Sequence, residues 1–227
     1  MASVQEIFRE YDKMLKENTE REVIDWLVEQ TNNYMTENPN DLVGQSALFS
    51  EIGGFYRARG IYDASESAFL HAKTLLESIG ATGTGNYATV MNNLAGLYRL
   101  TRDYDKAIEY FDKAIEIYEE LDFLPPDVHA SVYNNKGLVY QDQGEYYKAG
   151  KCFGAALEII INTPNNTYPL ATTYSNFAFC CFGDGKKEEA CDFMNKAIEL
   201  YAQVLAPDDP MFIQCMQIRD AMENAIK

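Results

Sequence analysis

The sequence has no long hydrophobic run, and nothing in its 227 residues approaches the ~18 consecutive apolar residues that a membrane-spanning helix requires. Its start, Met1-Ala-Ser-Val-Gln-Glu-Ile7, turns charged at once and holds no apolar stretch of the secretory kind. Secretion and membrane insertion are disfavoured, and a cytoplasmic location is expected. Positive charge is scarce: 19 Lys and Arg stand against 35 Asp and Glu, for a formal charge of −16. Phosphate binding needs clustered cations, so neither nucleic acid nor an anionic membrane surface is an expected partner. Cysteines number five, an odd count, without a disulfide framework or the Cys-x-x-Cys spacing of a zinc site. A reduced compartment fits that usage. His71 and His129 lie in different segments, and neither belongs to a triad or metal-pair pattern. The glycine-rich stretch Gly80 to Gly85 lacks the lysine and the preceding strand of a phosphate-binding loop. No catalytic residue, metal or cofactor is expected, and the chain does not read as an enzyme.

What the sequence does contain is a repeat. Three segments superpose: Tyr87 to Arg99, His129 to Gln141 and Leu170 to Phe182, each followed by a short turn and a second helical pattern. In those second patterns a small residue recurs at Ala107, Ala149 and Ala190, intervals of 42 and 41, and one step back lands on Ser65. A fixed period of this size is the mark of stacked supersecondary units. The first helices carry Phe49/Ile52/Gly53/Tyr56, Met91/Leu94/Ala95/Tyr98, Tyr133/Lys136/Gly137/Tyr140 and Tyr174/Phe177/Ala178/Cys181 at matching places. The second helices carry Ser65/Phe69/Ala72, Ala107/Phe111/Ala114, Ala149/Phe153/Ala156 and Ala190/Met194/Ala197. Small residues let the two helices of a pair approach, and large ones fill the space between pairs.

This pattern resembles the tetratricopeptide repeat. The 42-residue period, the Ala88 to Ala95 run and Ala206-Pro-Asp-Asp-Pro210 are similar to the kinesin light chain type of that repeat. The resemblance covers about residues 42–215. It implies an all-α, right-handed α-α superhelical solenoid of antiparallel helix pairs, about eleven helices in all. One domain is expected over 1–227, with a degenerate capping pair at 1–40, four repeats at 42–205 and a capping helix at 208–227. The extra length over the common 34-residue period is expected in the second helix and its exit loop. Lys136 stands where the pattern expects Leu, so it must snorkel or find an acidic partner.

In such a stack the first helices line a concave groove. Beside the core stripe lies a second one: Ala47, Ser50, Glu51, Gly54 and Arg57; Thr89, Asn92, Asn93, Gly96 and Arg99; Ser131, Asn134, Asn135, Leu138 and Gln141; Thr172, Ser175, Asn176, Phe179 and Phe182. The column Asn93, Asn135, Asn176 is the sharpest signal, since an amide can pair with both sides of an extended backbone. The resemblance implies that these asparagines hold ligand backbone; the alternative is that they set repeat stacking. Glu51 breaks the column in the first repeat. Arg57 and Arg99 suit a partner carboxylate, a solvated surface role, or a salt bridge within this acidic chain. Phe179 and Phe182 either anchor a partner or pack beneath the last helix. The expected function is a protein-interaction module that binds a peptide or protein segment, neutral or basic, in the groove. The alternative is a regulator of the same architecture whose shape responds to a peptide.

Overall fold

The structure, a computed structural model, describes residues 2–226. Eleven α-helices and no strand are present among the described residues, arranged as two compact units, 1–121 and 122–227. The first unit holds α1 (Val4–Glu17), α2 (Glu20–Glu37), α3 (Leu42–Ala58), α4 (Tyr62–Ser78), α5 (Gly85–Leu100) and α6 (Tyr104–Glu119). The second holds α7 (Pro126–Asp142), α8 (Tyr146–Ile160), α9 (Thr167–Gly183), α10 (Lys187–Tyr201) and α11 (Pro210–Asn224). No helix among the described residues is long and apolar enough to cross a membrane.

In the first unit, α1 and α2 begin with capping boxes, Ser3 with Glu6 and Thr19 with Glu22, each of which satisfies two backbone amides at its helix start. Ile7 and Tyr11 of α1 share a core with Val23 and Leu27 of α2 and with Leu48, Ile52 and Phe55 of α3. The α3/α4 pair is drawn together at Gly53, where an added Cβ would stand 2.7 Å from the Phe69 ring. Two buried hydroxyls join its helices: Ser65 donates to the Gly53 carbonyl and Ser46 to that of Ala72. The next pair, α5/α6, is joined to α4 by the Tyr98 and Tyr87 hydroxyls, which donate to Glu66 and Glu77.

The second unit repeats the device. An added Cβ on Gly137 of α7 would stand 2.6 Å from the Phe153 ring of α8, and Phe177 of α9 stacks on Phe193 of α10 at 4.6 Å. Helix α11 seats Cys215 and Met222 in the core of α9 and α10, with Phe182 packed against the same cluster. Phe179 is instead partly exposed, so only Phe182 takes the place expected beneath the last helix. Cys180, Cys181, Cys191 and Cys215 are all buried, and burial holds their thiols above the ordinary range, to about 11 for Cys180 and Cys181.

The repeat's second-helix positions are its most fully enclosed. Every member of the Ser65, Ala107, Ala149 and Ala190 sets has no accessible surface. First helices run 16–17 residues and second helices 15–17, with exit loops at 79–84, 120–125 and 161–166. First and second helices are thus of similar length, and a six-residue exit loop follows each of α4, α6 and α8. Each first helix ends on one residue in the left-handed region: Gly60 (φ 72°), Arg102 (φ 64°), Gly144 (φ 75°) and Gly185 (φ 80°). The following amide donates back to the carbonyl five residues earlier, at Tyr56, Tyr98, Tyr140 and Cys181. This closure turns the chain into the second helix within three residues. Lys136, at the place where Leu was expected, directs its Nζ over the Tyr140 ring at 5.8 Å.

Candidate functional site

The second stripe of the first helices faces a cavity in each unit. In the second unit α7 and α9 touch, and between them lies a cavity of about 450 Å³. From α7 it receives Ser131, Asn134, Asn135 and Leu138; from α9 it receives Tyr168, Thr172 and Asn176. Helical geometry explains the convergence, because residues spaced by three and four share one face. Leu138 and Tyr168 supply apolar surface, and the amides supply donors and acceptors.

Asn134 and Asn135 are adjacent but differently employed. Asn134 is 8% exposed, and its Nδ2 donates to Thr173 Oγ1 of α9 at 2.7 Å. Thr173 in turn donates to the Pro169 carbonyl. That chain ties α7 to α9, so Asn134 contributes to stacking. Its Oδ1 is buried without a hydrogen-bond partner, an arrangement that costs ~1–3 kcal/mol where it persists. Asn135 and Asn176 are half-buried on the cavity wall.

In the first unit a smaller cavity, about 120 Å³, lies where α1, α3 and α5 meet. Phe8 reaches it from α1, Ala47, Ser50 and Glu51 from α3, and Thr89 and Asn93 from α5. Burial raises the Glu51 carboxyl above the ordinary glutamate value of 4.5, nearby Asp12 adds to the rise, and Arg57 opposes it. Arg57 is itself largely enclosed, and its pKa is lowered by burial. Its Nη1 donates to the Asn93 carbonyl at 3.2 Å, and its guanidinium lies 5.6 Å from the Phe69 ring centre. Arg57 thus links α3 to α5 through a backbone carbonyl, while its charge acts on Glu51 within the same chain.

The structure brings Asn134, Asn135 and Asn176 together in one unit, and Arg57 and Asn93 together in the other. Asn92 and Arg99, half-buried on α5, and Gln141, at the end of α7, lie outside both cavities. Gln141 Oε1 is buried without a hydrogen-bond partner. Among the wall residues outside the stripe read from sequence are Val43, Asp127 and Tyr168. Each lies one turn before a stripe residue (Ala47, Ser131, Thr172), so extending the stripe by four positions would have found them. A larger cavity of about 610 Å³ lies on the second-helix side between α4 and α6, rimmed by Lys73, Glu109, Lys113 and Glu116. Its lining mixes charges of both signs. Among the described residues, no group of three or more His, Cys, Asp or Glu is placed to hold a metal ion.

The tetratricopeptide repeat family model matches residues 45–120 and 128–210. Among solved structures, the chain is similar to BtubC (BKLC) from P. vanneervenii, with a TM-score of 0.77 at 22% identity, covering 91% of this chain and 83% of that one. It is similar to a Podosopora anserina protein assigned as a kinesin light chain with nearly identical TPR-like repeats. There the TM-score is 0.71 at 12% identity, over 88% of this chain and 95% of the other. MamA matches at a TM-score of 0.58 and 19% identity, over 85% of this chain and 95% of that one. No curated protein matches the sequence. At these identities the likenesses carry the fold and leave the partner open.

Proposed function

Because this chain belongs to the tetratricopeptide repeat family, whose members are protein–protein interaction scaffolds, we propose that it binds a peptide or protein segment on its first-helix faces. The observation that carries the reading is the α7–α9 cavity, where three asparagines from two successive repeats converge beside Leu138 and Tyr168. Amides at one-repeat spacing can hold an extended backbone, while the apolar wall takes a side chain. The buried, unpaired Asn134 Oδ1 supports the same reading, since a donor brought by a partner would relieve it after a small rotation. Asn93 offers the same group in the first unit. The overall charge of −16 favours a neutral or basic partner. No group in either cavity is assigned a catalytic role.

Co-purification followed by mass spectrometry identifies the partner, and a double variant then tests the site. Asn93→Ala with Asn135→Ala is expected to weaken binding by tenfold or more while lowering the melting temperature by only about 2–4 °C. A loss of stability as large as the loss of binding would assign the pair to stacking instead.

A further inference from the structure

The break in the asparagine column coincides with the cavity of the first unit. Where the next repeat presents Asn93 and the third Asn135, the first presents Glu51. Among the described residues that line this cavity, Glu51 alone is charged. Arg57, the cation acting on it, directs an Nη1–H to the Asn93 carbonyl and lies largely enclosed. Asp12 of α1 adds a second negative field at the same carboxylate. The remaining wall is part apolar, with Phe8, Val43, Ala47 and Val90, and part polar, with Ser50 and Asn93 among its members.

At about 120 Å³ the cavity is well below the ~300 Å³ at which pockets for drug-sized ligands begin. It has room for one side chain and not for a folded element. An anionic side chain would meet Glu51 and Asp12; a purely apolar one would leave the carboxylate desolvated and unmatched. A cation on an aliphatic stem satisfies both halves of the wall, its methylenes against Phe8 and Ala47 and its charge against Glu51.

We infer that the cavity between α1, α3 and α5 is a subsite for a basic side chain of the bound segment, with Glu51 as its counter-ion. The inference rests on the segment-binding reading above and names the chemistry of one of its contacts. Burial penalises the ionised Glu51 carboxylate, and a ligand cation seated beside it offsets that penalty.

The test uses the full chain and two small probes of equal length, n-butylammonium and n-butanol, titrated at pH 7 and low salt with amide NMR shifts as the readout. The ammonium is expected to perturb residues 43–51 and 86–93 saturably, and to bind about tenfold more tightly than the alcohol. Glu51→Gln removes the charge with little change of shape and is expected to bring the two probes within about twofold. Ala47→Leu keeps the carboxylate, fills the cavity and weakens both probes. Equal binding of the two probes by the unaltered chain overturns the inference. So does an ammonium preference that survives Glu51→Gln, or shifts scattered over the acidic surface without a cluster in those segments. The probes read this cavity alone, whereas the asparagine double variant reads segment binding, so failure of either is separable from failure of the other.

Discussion

Arg102 occupies a position that the other three repeats give to glycine, the left-handed residue that closes each first helix. A side chain with a Cβ pays ~1–2 kcal/mol to sit there, whereas glycine does not. Glycine in turn loses more freedom on folding, which cancels part of the gain. Arg102→Gly is therefore expected to stabilise the chain by about 0.5 kcal/mol and raise the melting temperature by ~1–2 °C. Differential scanning calorimetry checks it, and a drop would show that the Arg102 side chain makes a compensating contact. Glu51 is the opposite case, a residue whose ionised form the fold penalises. Its folded pKa lies above its unfolded one, so between the two values the native state holds more proton than the unfolded state. Stability then falls as pH rises through that window. Glu51→Gln escapes the penalty. It is expected to be more stable than the parent at pH 7, with the advantage shrinking toward pH 4 as Glu51 takes up its proton. Urea melts at the two pH values measure the difference, and an advantage that grows on acidification would reverse the assignment.

Within a helix pair, the meeting of small and large residues was legible in the sequence because it depends on spacing alone. Gly53 under Phe69 and Gly137 under Phe153 follow directly from the repeat. Gly137→Ala would force its Cβ to 2.6 Å from a ring that has no exposed surface and no room to yield. It is expected to cost about 1–3 kcal/mol, read as a lower urea midpoint with an unchanged slope. A neutral result would mean that α7 and α8 can part without loss. Contacts between neighbouring repeats were not legible in the same way. Arg57 reaching the Asn93 carbonyl, and Asn134 reaching Thr173, depend on how far one first helix slides and turns against the next. That register is set by the whole interface, and no single spacing encodes it. The hydroxyl pairs Thr89–Tyr118 and Thr172–Tyr201 recur at the same separation of 29, yet the first and third repeats place Leu76 and Ile160 where the tyrosines stand. Half a repeat signal is easily passed over. The candidate site was half legible for the same reason: the asparagine column marked the cavity walls, while the division of Asn134 to stacking and Asn135 to the wall needed the packed helices.

Across the whole chain, charge is the property that acts before any contact forms. A protein at −16 attracts a basic segment from beyond contact range, and the attraction raises the rate of encounter more than it slows escape. At 0.1 M salt the Debye length is about 10 Å, so distant carboxylates cease to contribute while a counter-ion within a cavity is less screened. The two effects separate in kinetics. With the partner recovered by co-purification, stopped-flow association is expected to slow by roughly tenfold between low salt and 0.5 M, with a much smaller change in dissociation. Glu51→Gln should do the reverse, leaving the salt dependence of association nearly intact, since it removes one charge of many, and speeding dissociation through the lost counter-ion. An association rate indifferent to salt would remove long-range attraction from the account and leave recognition to the cavities alone.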